Sequence, residues 1–286
     1  MSTTATTSTL TSTASTTSTA AESADTRPDW AIAGDAWAHA ATDWAYRFEP
    51  YARDAIHHCF EVLGVGPDRD LADMACGSGY ALGLAERLGA RTAGIDASAG
   101  LIDIARRRAP ATELVVGSMF ELPWGDESFD ALTSFNGIWG GCDEAIEEAS
   151  RVLRPGGSIA ITFWGPGKAL DLRDFFIVIG TTGPGVADEL IGLAQIGAPG
   201  VCEGMLESAG FEVTERGSTS AIIEAANEDD LWKTLRSPGV VLPSIQHVGD
   251  DELRRQVMEA VAPFRADDGS YRLVNELVHV IATKPA

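Results

Sequence analysis

The rhythm of apolar and polar positions changes along the chain, and each change marks a boundary. Residues 1 to about 27 are almost wholly Ser, Thr and Ala and carry no apolar period. Such a segment buries too little to offset its ordering entropy, so disorder is expected over 1–27. From Trp30 to about Leu63 the pattern turns helical, with Trp37, Ala41, Trp44, Ala45 and Phe48 at three- and four-residue intervals. Pro50 interrupts a first helix, and a second is expected from about Tyr51 to Val62, ending near Gly64.

The central stretch alternates short apolar runs with amphipathic ones. Strands are expected over 70–75, 91–95, 113–116, 129–134 and 158–164, with helices over 81–88, 101–108 and 142–153 between them. Strands alternating with helices at this spacing imply parallel pairing through right-handed crossovers. Further on, a helix over 201–208 ends at Gly210, a strand opens over 211–214, and the last strand is 271–283. The expected fold is α/β, a doubly wound, mostly parallel seven-stranded sheet. The pieces that do not fit the alternation, 30–63, 165–200 and 227–266, read as a helical cap over one end of the sheet. Residues 28–286 then form one domain.

Composition narrows the class of protein. Hydrophobic residues make up 45% and charged ones 22% of 286 residues, a globular balance. No apolar run approaches the roughly 18–20 residues of a membrane span. No basic patch precedes an apolar core and the first basic residue is Arg27, so the expected location is cytoplasmic. A formal net charge of −21 repels phosphate backbones and anionic lipid, which argues against nucleic-acid and membrane partners. Cys59, Cys76, Cys142 and Cys202 lack any CxxC spacing and read as reduced thiols, with no metal site expected.

The chemistry concentrates after the first strand. Asp73-Met74-Ala75-Cys76-Gly77-Ser78-Gly79 has the makings of a tight strand-to-helix turn whose backbone lies against a ligand, where a Cβ on Gly77 or Gly79 would hold that ligand away. A dinucleotide fingerprint would need glycine at Leu82, and Gly83 comes one residue late. Asp96, at the tip of the second strand, fits either a carboxylate accepting from both hydroxyls of a ribose or a helix N-cap, a task Ser98 could take instead. Its spacing of about 20 residues from the glycine turn favours the ribose.

Four blocks in this order resemble the class I S-adenosylmethionine-dependent methyltransferases, in particular the ubiquinone/menaquinone C-methyltransferase-like branch. They are DMACGSG (73–79), GIDASAGLIDIARRR (94–108), GSMFELPWGDESFDAL (117–132) and RVLRPGGSIAITFW (151–164), with PGVCEGMLESAGF (199–211) similar to that family's later helix and strand. The resemblance covers about a third of the chain strongly. It implies a Rossmann-like methyltransferase fold and S-adenosylmethionine as cofactor. By the same resemblance Gly77 and Gly79 admit the methionyl and ribosyl parts, Asp73 lies near the ammonium and Asp96 binds the ribose. Ala97 and Leu101 would pack on adenine, Ser118 and Met119 lie at its edge, and Asn136 and Gly137 face the methionine moiety. Two positions depart from the family pattern: Ser118 stands where Asp is common, and Ala75 where glycine is usual.

The implied reaction is in-line transfer of a methyl group to an O, N or C nucleophile of a small-molecule acceptor. Such transfer needs positioning in a dry pocket, and a general base only if the acceptor carries a proton. A base would come from the cap. His39 can share a helix face with Asp35 and Asp43, which makes it the candidate catalytic residue, although surface or capping roles fit every histidine here. Tyr46 and Tyr51 are alternatives, because an N-terminal aromatic often covers the cofactor in this family. Trp124 reads as loop packing, Arg151 and Arg154 as salt-bridge residues, and Trp139 fits either a pocket or packing. The glycine turn and Asp96 speak only to cofactor binding. A non-methylating enzyme of the same fold (cyclase, lyase or hydroxylase) or a silent cofactor-binding regulator meets the same pattern.

Overall fold

The computed structural model describes residues 27–286, so the expectation of a disordered Ser/Thr-rich tail falls almost entirely outside the described residues. Ahead of the sheet lie α1 (Asp29–Ala38), the single turn α2 (Ala41–Asp43), a π-helical stretch (Trp44–Phe48), a 3-10 turn (Glu49–Ala52) and α3 (Arg53–Leu63). The alternating part follows: β1 (Asp70–Met74), α4 (Tyr80–Arg87), β2 (Arg91–Asp96), α5 (Ala99–Arg108), β3 (Glu113–Val116), β4 (Phe129–Phe135), α6 (Asp143–Val152) and β5 (Leu153–Trp164). Then come α7 (Arg173–Thr182), α8 (Val186–Gln195), α9 (Val201–Ser208), β6 (Glu212–Ala225), α10 (Glu228–Leu235), α11 (Leu242–Val248), α12 (Asp250–Ala260) and β7 (Tyr271–Thr283).

The seven strands form one sheet in the order β3-β2-β1-β4-β5-β7-β6. Strands β1 to β5 pair in parallel, and β7 runs antiparallel between β5 and β6. Chain order reverses between β1 and β4, and at such a switch point the helices leave to opposite faces, opening a crevice at the strands' carboxyl ends. Leu71, Ala72 and Met74 of β1 are fully buried, as a central parallel strand covered on both faces requires. All four cysteines are free and buried.

Two local expectations are corrected. Pro50 does not separate two regular helices. The break comes earlier, at His39–Ala40, and the backbone then passes through π and 3-10 geometry before α3. The cause is tertiary: Trp44 stacks on Phe48 at 5.0 Å, meets Trp37 edge-on at 4.8 Å, and Tyr51 stacks on Trp164 of β5 at 4.7 Å. Seating those rings sets the local winding, and π segments of this kind recur at functional sites. The strand opening at 211–214 is 14 residues long, because its Ser/Thr-rich continuation pairs with β7 as far as Ala225↔Tyr271.

The N-terminal helices close over the switch-point end. α1 docks where Gly34 meets the β2–α5 turn so closely that a Cβ there would lie 2.1 Å from the Ala97 carbonyl oxygen. From the other side, Gly239 lies against the Trp37 ring and Arg47 pairs with Asp230 at 2.9 Å. No helix among the described residues is long and apolar enough to cross a membrane.

Candidate active site

The turn after β1 is built from left-handed residues. Ala75, Gly77 and Gly79 have φ of +57°, +55° and +71°. In the left-handed region a residue with a Cβ costs about 1–2 kcal/mol, so Ala75 stores strain at the mouth of the crevice. The two glycines are needed for different reasons. A Cβ on Gly77 would stand 2.7 Å from Glu49 Oε1 and 3.7 Å from Trp44 Nε1, on the crevice side. A Cβ on Gly79 would instead strike Ala105 of α5 at 2.8 Å, so the bare Gly79 also lets α5 pack close against the turn.

Three carboxyl groups converge on this turn. Asp73, 2% exposed, accepts from Thr133 Oγ1 at 2.7 Å across the β1–β4 pair. Burial pushes its carboxyl up to about 8; the Thr133 bond opposes the shift, and Glu49 and Asp96 add to it. Asp96 accepts from Gly77 N–H through Oδ2 and from Ser98 N–H through Oδ1, both at 2.8 Å, and so ties the glycine turn to the β2–α5 turn. Ser98 is the cap of α5, its hydroxyl accepting from Leu101 N–H at 3.4 Å. Two of the roughly four acceptor positions of the Asp96 carboxylate are thus used, and two are left for hydroxyls. Burial raises its carboxyl despite both backbone bonds.

The third carboxyl, Glu49, was not singled out from the sequence. It accepts from Ser78 N–H at 3.0 Å, from the Ser78 hydroxyl, and from Arg108 Nη1 at 2.6 Å. Arg108 also donates to the Ala45 carbonyl at 2.5 Å and lies over the Tyr46 ring at 4.5 Å. Burial raises the Glu49 carboxyl, with Ser78 and Arg108 opposing. The only sequence signals were an acid beside Pro50 within an aromatic run and the last Arg of the run 106–108. Neither says that residues 59 positions apart meet.

Together these groups line one narrow cavity at the carboxyl ends of β1 and β4. Asp73, Ala75 and Gly77 form its floor, Glu49 and Trp44 one side, and Tyr51 and Phe135 the aromatic wall. Trp44 Nε1 is buried there without a hydrogen-bond partner. An indole N–H in such a place calls for an acceptor that the protein itself does not supply.

Comparison with known proteins fits this geometry. Residues 72–161 match the family described as "Methyltransferase domain", and the match spans the glycine turn, Asp96 and β5. A protein of Mycolicibacterium smegmatis named "Probable S-adenosylmethionine-dependent methyltransferase" is 27% identical over 70% of this chain and 73% of its own length. A demethylmenaquinone methyltransferase of Mycobacterium sp. (strain JLS) is 35% identical over 35% of this chain, which spans 43% of that relative. The fold matches a methyltransferase candidate from Bacillus halodurans with a TM-score of 0.56 and 19% identity, over 81% of this chain and 99% of that one.

Residues 72–161 are a methyltransferase domain, and the relatives and the fold support a class I S-adenosylmethionine-dependent methyltransferase. Its cofactor is S-adenosylmethionine, which carries a positive sulfur and an ammonium group.

The residues of this methyltransferase fit such a cation. Three carboxyls converge at the turn with one guanidinium, which pairs with Glu49, and burial raises all three. Gly77 leaves a cradle on the crevice side that any Cβ would fill. Of the other predicted cofactor residues, none lines the cavity itself. Ala97 sits beneath α1, and Leu101 is buried behind Ser98. The Ser118 hydroxyl accepts from Phe120 N–H at 3.2 Å, and Met119 packs on the core below. Asn136, at φ +60°, accepts from Thr162 Oγ1 at 2.9 Å, and Gly137 presses on Ala75 with no room for a Cβ.

The candidate base is held elsewhere. His39 Nδ1 lies 2.7 Å from the Ala36 carbonyl within α1, and Nε2 lies 3.0 Å from the Arg236 carbonyl, so the ring caps its own helix on one side and ties it to the end of α10 on the other. Asp35 pairs with Arg27 and Asp43 with Arg47, not with His39. His57 and His247 are exposed. Of the two tyrosines, Tyr46 is 58% exposed while Tyr51 is 6% exposed and lines the cavity. Trp124 packs on Phe129 and donates to Glu113, Arg151 pins the 122–126 loop, and Arg154 bridges Asp70 and Asp130. Trp139 is 40% exposed, edge-on to Phe120 at 6.4 Å.

Proposed function

We propose that this methyltransferase acts on a small, largely apolar or aromatic acceptor, enclosed between the carboxyl ends of β1, β4 and β5 and the helices around them. The observation that carries this reading is the enclosure itself. The cavity beside the glycine turn is walled by Tyr51 and Phe135, and behind Tyr51 stand Trp164 and Phe176, 6.0 Å apart. A flat apolar ring finds matching surface there. The net charge of −21 opposes nucleic acid further.

In this reading Asp96 accepts from the ribose hydroxyls, and Asp73 and Glu49 hold the ammonium. Gly77 lets the methionine part approach the backbone, Trp44 Nε1 donates to its carboxylate, and Ala97 and Met119 border the adenine. S-adenosylmethionine supplies a methyl group already activated by positive sulfur. The chain contributes position and dryness: α1 and the Trp44–Tyr51 segment exclude water, and the aromatic wall aligns the O, N or C nucleophile with the methyl. Where the acceptor carries a proton, the titratable side chains on the cavity wall are Glu49, Tyr51, Asp73, Cys76 and Tyr80, and the carboxylates of Glu49 and Asp73 are the bases among them.

The test is incubation of the pure protein with S-adenosylmethionine and fractionated host metabolites, followed by mass spectrometry. S-adenosylhomocysteine appearing together with an apolar or aromatic metabolite heavier by one methylene is the expected result. Methylation confined to polar or polymeric fractions would overturn the acceptor class.

A further inference from the structure

Away from the cavity, α3 and the β6–β7 hairpin bring together two imidazoles and a carboxylate. His58 Nε2 and His279 Nε2 lie 2.5 Å and 2.9 Å from the same oxygen, Glu215 Oε1. The two rings face each other at 4.4 Å between centroids, tilted by 39°. One donor atom from each residue falls within 4.8 Å of the other two. Gly217, opposite His279 across the ladder, makes this possible, since a Cβ there would stand 2.6 Å from His279 Nε2.

We propose that His58, Glu215 and His279 bind one divalent transition-metal ion of the zinc class, fastening α3 to the β6–β7 hairpin. Two imidazole nitrogens and a carboxylate oxygen are the donors such ions prefer over calcium or magnesium, which seek oxygen. Ligands of a tetrahedral zinc at about 2.0–2.1 Å lie on the order of 3.3 Å from one another. The 2.9 Å separation at His279 needs to open by about 0.4 Å and the 2.5 Å separation at His58 by about 0.8 Å, and the half-exposed His58 side chain has room to make the larger adjustment. The ion would replace the two Nε2 protons now shared with Glu215. His279 is 3% exposed and fixes one ligand rigidly in the sheet. His58 and Glu215, at 37% and 34% side-chain exposure, leave an entry path and room for water as a fourth ligand. His279 Nδ1 has no partner inside the protein whether or not Nε2 holds an ion. The sequence expectation of no metal site arose because the ligands are 157 and 64 residues apart, which no short spacing motif can show.

The test uses the full chain, stripped with a chelator and titrated with Zn²⁺ by calorimetry and with Co²⁺ by visible absorption. Expected are one ion per chain with Kd at or below about 1 µM, a cobalt d–d band of low coordination number, and a rise in Tm. His58→Ala, at a half-exposed position, should raise Kd at least 10- to 100-fold and abolish the cobalt band. His247→Ala should leave both unchanged. No stoichiometric binding by the wild type, or equal affinity in His58→Ala, overturns the proposal. Cofactor affinity, measured on the same samples, is expected to be unchanged, so this outcome stands apart from the methyltransferase reading.

Discussion

The two ends of β1 treat the same side chain in opposite ways. Asp70, at the amino end, is bound by Arg91 at 2.6 Å and Arg154 at 2.9 Å, and the Arg91 bond leads in holding its carboxyl below the usual range. Its neighbour on β4, Asp130, is pushed up by burial, but the Asp70 N–H and Arg154 outweigh this and hold it low as well. Asp73, three residues on, has a hydroxyl for a partner and its carboxyl is raised to about 8. The carboxylates at the amino end are paired with arginines, while burial raises those at the carboxyl end, where a bound cation would favour their charged forms. Stability and function are divided along one five-residue strand.

The sharpest way to break this comparison is Asp96→Ala. It should weaken S-adenosylmethionine binding by about 2–3 kcal/mol, since it removes charge-assisted hydrogen bonds; unchanged affinity in calorimetry would sink the ribose assignment. Next is Asp73→Asn, which keeps the acceptor for Thr133 and removes the titrating proton. Cofactor affinity should fall by about 1–2 kcal/mol at pH 8 while Tm holds or rises; a fall in Tm would show that the carboxyl serves the fold. Arg154→Ala tests the other end: stability should drop by about 1–2 kcal/mol in denaturant unfolding, with cofactor affinity unchanged.

The pH dependence separates the two ends by sign. Asp70 and Asp130, lowered in the fold, stabilise above the ordinary carboxylate range, and that contribution is lost as pH falls through their depressed values. Asp73 runs the other way. Its contribution is complete below the ordinary carboxylate range and is lost as pH rises towards about 8, and the raised Glu49 and Asp96 act in the same direction. A bound cation reverses the upper limb, so S-adenosylmethionine affinity should climb with pH up to about 8. Thermal melts against pH, with and without cofactor, measure both limbs. The smallest effect is Ala75→Gly. Relief of the left-handed strain outweighs the added chain entropy, and Tm should rise by the equivalent of about 0.5–1 kcal/mol.

What could be read from the sequence follows from how local each signal is. The β–α alternation, the glycine turn and Asp96 lie within stretches of a few residues, and their placement needs only strand length and helix period. The Trp44–Phe48 winding could not be read, because it answers to Trp37 and Trp164 and not to local propensity. The opening of β6 at 211–214 is legible but its extent is not, because Ser218, Thr219 and Ser220 lack the apolar alternation that marks a buried strand, while pairing with β7 holds them there. Glu49, Thr133 and Arg108 escaped for a different reason. Each is ordinary in its own window, and only the fold brings them to Asp73 and Ser78. His39 has a tempting helical neighbourhood, yet its ring faces backbone carbonyls across the cap.

The β6–β7 hairpin gives the cap a mechanical character. β5 ends its pairing at Trp164↔Leu277, but β6 and β7 continue together to Ala225↔Tyr271, and α10 to α12 are strung between those tips. The far part of this ladder is a two-stranded springboard clamped in a seven-stranded plate, and a two-stranded ribbon twists more readily than a wide sheet. The helices it carries are gripped from the opposite side as well, by the Trp37 ring on Gly239, Arg47 on Asp230 and the Ser244 hydroxyl on the Ile179 carbonyl, so the springboard is propped at its far end.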